Sequence, residues 1–164
     1  MKKVGFMSLV LGSVMCWLGC SPAKQMPEGE LVSIEYSTNT CRAENQYEGS
    51  VQRDSAGRFV VHSMKKNYGP LYEKVIGASQ MKRFREIIEE EKMYRYKESY
   101  QPRLHVLDGW GWHFCARFSD GSKILSGGSN ARPDGNGLAR IRSYMEELVS
   151  DGVLVEAADS IDND

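Results

Sequence analysis

Between Trp110 and Phe118 the chain reads WGWHFCARF, and every second residue is apolar: Trp110, Trp112, Phe114, Ala116 and Phe118. A strand sends successive side chains to opposite faces, so these five share one face while Gly111, His113, Cys115 and Arg117 share the other. The apolar face has to be covered by other elements, and its reverse can meet water. Asp120-Gly121 follows as an expected two-residue hairpin turn into KILSGG. No other stretch restricts the fold so strongly, because it demands an antiparallel sheet with one covered side.

The remaining segments supply partners for that strand. LVSIEYS, from Leu31 to Ser37, sets Val32, Ile34 and Tyr36 against Ser33, Glu35 and Ser37, the pattern of a half-buried strand. YEGSVQR and RFVVHSM flank Asp54-Ser55-Ala56-Gly57 and read as a hairpin with Gly57 at a positive φ. LYEKVI is a short strand ahead of Ser79, the expected N-cap of a helix whose apolar stripe is Met81, Phe84, Ile87 and Ile88. In YRYKESYQPRLHVLDG the tyrosines interleave with charges and Pro102 forbids a continuous helix, which predicts a loop and a short extended piece. The loop GGSNARPDGNG leads into a last helix with the stripe Leu138, Ile141, Tyr144, Met145 and Leu148, and Gly152 stands just past its end.

Together these elements predict an α+β fold, an antiparallel sheet of about five strands with two helices packed on one face. MKRFREIIEE from Met81 and LARIRSYMEE from Leu138 carry Arg, Arg, Glu and Glu at the same offsets. Two readings of this stand side by side: a tandem ββα pseudo-repeat, or convergence between two helices that cover one sheet. The first helix has Lys82, Arg83 and Arg85 early and Glu89, Glu90 and Glu91 late, against the macrodipole preference at both ends. Pairs at i,i+4, Lys82 with Glu86 and Arg85 with Glu89, are expected to offset part of that.

Ahead of the domain, Lys2 and Lys3 precede an apolar run from Val4 to Leu18 that ends in Gly19-Cys20-Ser21-Pro22. The run is shorter than the roughly 20 residues of a spanning helix and has the build of an export signal. Its end, WLGC, resembles the lipobox of bacterial lipoproteins, with Gly19 and Cys20 matching and Trp17 and Leu18 departing from the usual pattern. That resemblance implies that Cys20 carries a diacylglyceryl thioether and becomes the new N-terminus, and, with no Asp after it, favours the outer over the inner membrane. The alternative is cleavage after Ala23, which frees an unlipidated chain starting at Lys24. In the lipidated reading residues 1–19 are signal peptide and residues 20–30 are a tether without apolar pattern, able to hold the domain roughly 30 Å from the bilayer. Residues 31–152 form the single domain, and the acidic stretch 153–164 is expected to be disordered.

Removing residues 1–19 leaves 19 basic against 22 acidic side chains, a net charge of −3. A nucleic-acid binder would present a basic balance, so that class is set aside. Of the four cysteines, Cys41 and Cys115 fall in the domain, and an exported protein keeps disulfides. A bridge between them would close a loop of about 75 residues and contribute about 4 kcal/mol in the chain-entropy picture. The plainer alternative is two unrelated thiols.

Chemistry is sparse. His113 and Cys115 are i and i+2 on one strand face and could form a thiolate with its base, or half of a metal site. No spacing supplies the remaining ligands, neither a phosphate-loop nor a dinucleotide motif is present, and no metal or cofactor is expected. Trp112 reads as core and Trp110, nearer the loop, as the exposed indole. The loop SGGSNARPDGNG has glycines, a following helix N-terminus and Arg132, the ingredients of an anion site, while its plainer reading is a turn into the helix.

From Gly109 to Val149 the series DGWGW, FSDG, SGGSNARPDG and a helix is also similar to a pattern of small exported bacterial proteins of unknown function. The likeness implies the fold and names no activity. The expectation is therefore a membrane-anchored envelope protein that binds an envelope protein or glycan partner through the sheet edge and the Asn130–Asn136 loop. Trp110, Asn130 and Arg132 are its candidate contact residues. The alternative is a cell-envelope hydrolase using His113.

Overall fold

Alternating side chains build the sheet in the computed structural model, which describes residues 24–40, 46–65, 69–103 and 109–155. Four strands come first as a meander: β1 (Leu31–Thr40), β2 (Tyr47–Arg53), β3 (Phe59–Met64) and β4 (Leu71–Ile76). They are followed by α1 (Ala78–Glu90), a 3-10 turn at Met93–Arg95, β5 (Ser99–Tyr100), the hairpin β6 (Trp110–Phe118) and β7 (Lys123–Ser129), α2 (Gly137–Leu148) and β8 (Val153–Leu154). The sheet order is β5-β7-β6-β1-β2-β3-β4-β8, with every pair antiparallel except β5–β7.

The protein is α+β with two helices, as expected, but the sheet is mixed and has eight strands rather than about five antiparallel ones. Two of the extra strands, β5 and β8, are only two residues long, too short for any alternation to show. They exist because the long strands β7 and β4 offer them unpaired edges. Val153 and Leu154, expected to begin the disordered tail, are those of β8, paired with Glu73 and Tyr72. The rest of that tail, residues 156–164, lies outside the described residues, as do the signal segment, Cys20, Cys41 and His105.

Burial follows the predicted parity. Trp112, Phe114, Ala116 and Phe118 of β6 join Ile34 and Tyr36, Tyr47 and Val51, and Val61 in one core with Met81, Phe84, Ile87 and Ile88 of α1 and Leu138, Ile141 and Met145 of α2. Each fully buried side chain of this size contributes about 1.5–3 kcal/mol relative to exposure, so this one shared core outweighs any other interaction in the molecule. The order strand-strand-helix occurs twice, as β3-β4-α1 and β6-β7-α2, but the hairpin in front of α1 is not the one turning at Asp54–Gly57. At the start of β1 the register to β6 shifts between Leu31 and Ser33, which puts Leu31 rather than Val32 into the core. That single bulge is what the alternation of LVSIEYS could not reveal.

Both hairpins close in the same way. Asp54 N–H donates to Arg58 O and Gly57 N–H to Asp54 O; Phe118 N–H donates to Ser122 O and Gly121 N–H to Phe118 O. Each is a three-residue loop ending in a left-handed glycine, at φ +78° for Gly57 and +83° for Gly121, so the second turn is one residue longer than expected.

The expected tether does not hang free. Arg85 donates through Nη1 to Gly29 O and through Nη2 to Pro27 O at 2.7 Å. Gly29 N–H donates to Asp120 Oδ2 and Glu30 N–H to Ser119 Oγ, both at 2.9 Å, while Lys24 Nζ reaches Tyr96 O at 2.9 Å. Met26 packs against the core. Residues 24–30 are a strap laid along the domain. Arg85 is therefore not the partner of Glu89, whereas Lys82 does lie 4.0 Å from Glu86.

The expected Cys41–Cys115 bridge is not formed, and Cys115 is a free thiol. The register puts Glu35 opposite Cys115 and Thr40, the residue before Cys41, opposite Trp110. Five steps along the ladder are about 17 Å, whereas bridged Cα atoms lie within about 7 Å. Burial at 2 % exposure between its register partners Glu35 and Leu125 pushes the Cys115 thiol pKa up. A buried thiol of that kind is a poor nucleophile.

Candidate functional site

β1 runs past Ser37 to Thr40, and its inward residues change along the way from Ile34 and Tyr36 to Thr38 and Thr40. Hydroxyls at core parity mark the end of the core. Opposite them β6 places Trp112 against Thr38 and Trp110 against Thr40. The result is a cleft of ≈ 680 Å³ between these strands, Tyr96, the loop after β7 and the first turn of α2.

The loop is shaped by Asn130 and Trp112. Asn130 has φ +51°, its N–H donates to Trp110 O at 2.8 Å, and its Oδ1 accepts from Trp110 N–H at 3.0 Å. It braces the start of the loop against β6, and unlike Trp110 and Arg132 it is not among the residues that line the cleft. Trp112 is 5 % exposed and donates through Nε1 to Ala131 O at 2.7 Å. A side chain at Gly128 would collide with that indole nitrogen and with Ala131 O, so only glycine permits the crossing. Two amides of the expected anion loop have partners within the protein: Gly127 N–H donates to Glu98 O and Asn136 N–H to Glu91 Oε2.

Trp110 and Arg132 do line the cleft, and they are brought together with Tyr36, Tyr96, Trp112 and Arg142. Trp110, expected to be the exposed indole, is half-buried and packs against the edge of the core. Among the described residues Arg132 makes no hydrogen bond or ion pair, and it is exposed at the cleft wall. Arg142 is half-buried, lies 4.5 Å from the Tyr47 ring centroid and donates to Glu146 Oε1 at 2.8 Å. No described lining residue is acidic. Burial pushes the Tyr96 phenol up to about 12, with Glu91 adding to it, and raises Tyr36 against the opposing pull of Arg142 and Arg132. Both phenols stay protonated at neutral pH and can donate.

His113 lies elsewhere. It is exposed on the uncovered face of the sheet, with Ser37 and Gly127 as register partners, and Ser37 in turn faces Glu48 of β2. Glu48, Ser37 and His113 thus form a row, yet the serine stands in the middle. A hydrolytic triad needs the imidazole between hydroxyl and carboxylate, so this order cannot activate Ser37. Among the described residues no group of three His, Cys, Asp or Glu side chains could hold a metal ion.

Sequence reasoning missed Tyr36, Thr38, Thr40, Tyr96 and Arg142 as cleft residues. The available signal was the continued alternation of Thr38 and Thr40 beyond Tyr36; Tyr96 and Arg142 reach the cleft only through tertiary packing. Compared with known proteins, the chain matches no family model and no curated protein.

Proposed function

We propose that this is an exported protein anchored in the cell envelope, more at the outer than the inner membrane, by lipid on Cys20. In this reading it is a non-enzymatic binding module whose ligand sits in the cleft. The observation that carries the reading is the cleft's lining: four aromatic side chains and two arginines with no acid among the described residues. Aromatic faces hold a ring or chain, and a guanidinium without a protein partner attracts an anion. The ligand class is an organic anion with an apolar body, and the volume suits a small molecule or one unit of a larger envelope component. No helix among the described residues is long and apolar enough to cross a membrane.

Two fluorescent probes test the site: 8-anilinonaphthalene-1-sulfonate and N-phenyl-1-naphthylamine, the same ring system without the charge. Both should bind one per chain and lose affinity in Trp110→Ala. Arg132→Ala should weaken the sulfonate about tenfold, the size of one charged hydrogen bond, and leave the neutral probe within about twofold. Equal effects on both probes would remove the anion site. Metabolic labelling with an alkyne fatty acid, wild type against Cys20→Ser, tests the anchor.

A further inference from the structure

We propose that the surface around Lys24, Arg95 and Lys97 is the face that the domain presents to an anionic lipid bilayer. The inference rests on the lipid anchor at Cys20 and on an observation independent of the cleft, the strapped N-terminal segment. A free tether over residues 20–30 would let the domain turn at will. Here the strap removes residues 24–30 from that tether: Arg85 holds Pro27 and Gly29, the β6–β7 turn holds Gly29 and Glu30, and Lys24 is held to Tyr96 O.

Only four Cα steps then separate Cys20 from Lys24, about 15 Å at full stretch with 3.8 Å per step. A chain lipidated at Cys20 keeps Lys24 no farther than that from the bilayer, and any bend in those four steps brings it within the roughly 8–10 Å over which the surface potential decays. The charges gathered there suit it. Lys24, Arg95 and Lys97 border a shallow depression beside Tyr96, and all three are exposed, with Glu98 the one exposed acid next in sequence. Clustered cations at a membrane exit point are attracted to anionic headgroups. Tyr96 lines both this depression and the cleft, so the cleft adjoins the lipid-facing surface.

The test uses the acylated, signal-processed chain reconstituted in phosphatidylcholine–phosphatidylglycerol vesicles containing a lipid with a nitroxide on its headgroup. Lys97→Cys and Val153→Cys, each in a Cys41→Ser background, carry one environment-sensitive fluorophore. Val153 is 69 % exposed on β8, the opposite sheet edge from β5. Position 97 should be quenched about threefold more than position 153, because seven strand spacings of about 4.8 Å lie between the two edges. Replacing phosphatidylglycerol by phosphatidylcholine, or releasing the strap with Arg85→Ala, should shrink that ratio. Equal quenching on chains whose acyl mass is verified overturns the orientation alone. A mass spectrum without acyl chains overturns the anchor and the orientation together.

Discussion

Helices α1 and α2 look alike in sequence, but the first is closed by its own side chain and the second by a side chain of the first. α1 follows β4 after one residue, and its start is closed: Gly77 N–H donates to Gln80 Oε1 at 3.0 Å, and Ser79, the expected cap, merely hydrogen-bonds the same oxygen. α2 starts after the loop of residues 130–136, and the N–H of its N-cap Asn136 is held at 3.3 Å by Glu91 Oε2 from the end of α1 rather than by a residue of its own first turn, which sets Leu138 and Ala139 against the cleft. The matched arginines diverge as well. Arg85 clamps the N-terminal strap, while Arg142 stacks on Tyr47 and lines the cleft. An amphipathic stripe settles which side of a helix is buried; what precedes the helix settles whether its first turn is covered or lines a cleft.

The strongest way to break this comparison is to damage the seam between the helices. Phe84 is fully buried and meets Tyr144 edge-on at 4.7 Å, so Phe84→Ala should cost about 3–5 kcal/mol in denaturant unfolding. If the start of α2 is set by its own loop, sulfonate-probe affinity below the unfolding transition should stay within about twofold of wild type, a shift under roughly 0.4 kcal/mol. A parallel loss of affinity would show that the two starts are not independent.

A smaller pair of substitutions sharpens it. Gln80→Ala removes the side chain that satisfies Gly77 N–H and should cost about 0.5–2 kcal/mol without touching probe binding. Asn136→Asp puts a second carboxylate beside Glu91 at the start of α2, so the macrodipole gain of about 0.3–1 kcal/mol is offset by like-charge repulsion and the net change in stability should be small. The same charge should weaken the sulfonate probe and spare the neutral one. If Asn136→Asp leaves the sulfonate unaffected, the first turn of α2 does not face the bound anion.

The contrast also marks what could be read in advance. Strand parity in WGWHFCARF and both helical stripes were legible because long amphipathic elements carry their own period, and the core follows them except that Trp110, Tyr144 and Leu148 are only partly buried and Cys115 is buried on the other face. A smaller part of the cleft was legible too, since Trp110 and Arg132 stand where the alternation ends and the loop begins. The rest depends on contacts distant in sequence. Arg85 seemed destined for Glu89 one turn on, yet backbone carbonyls at positions 27 and 29 claim it. Asn130 looked like a loop donor, but a left-handed backbone and the Trp110 amide consume its side chain. β5 and β8 exist only as additions to edges that the longer strands create.

The smallest expected effect concerns the charges at the end of α1 that oppose its macrodipole. Glu90 and Glu91 are not left to solvent: Arg140 of α2 donates to Glu90 Oε2 at 2.6 Å and to Glu91 Oε1 at 2.7 Å, while Arg83 holds the other Glu90 oxygen at 3.0 Å. The Arg140 hydrogen bonds hold both carboxyls below their ordinary value of 4.5. A carboxyl depressed on folding adds stability above its unfolded pKa, and that contribution drains away as pH falls through the folded value. Glu90 is solvent-exposed and Glu91 partly so, and solvent screening keeps the effect small. Thermal melts of wild type and Arg140→Gln should therefore differ slightly at pH 7 and converge below pH 4.5, with added salt narrowing the gap at neutral pH. A gap that persists in acid would mean that Arg140 supports the helix pair by packing its stem rather than by its charge, and that the end of α1 is joined to the start of α2 without electrostatics.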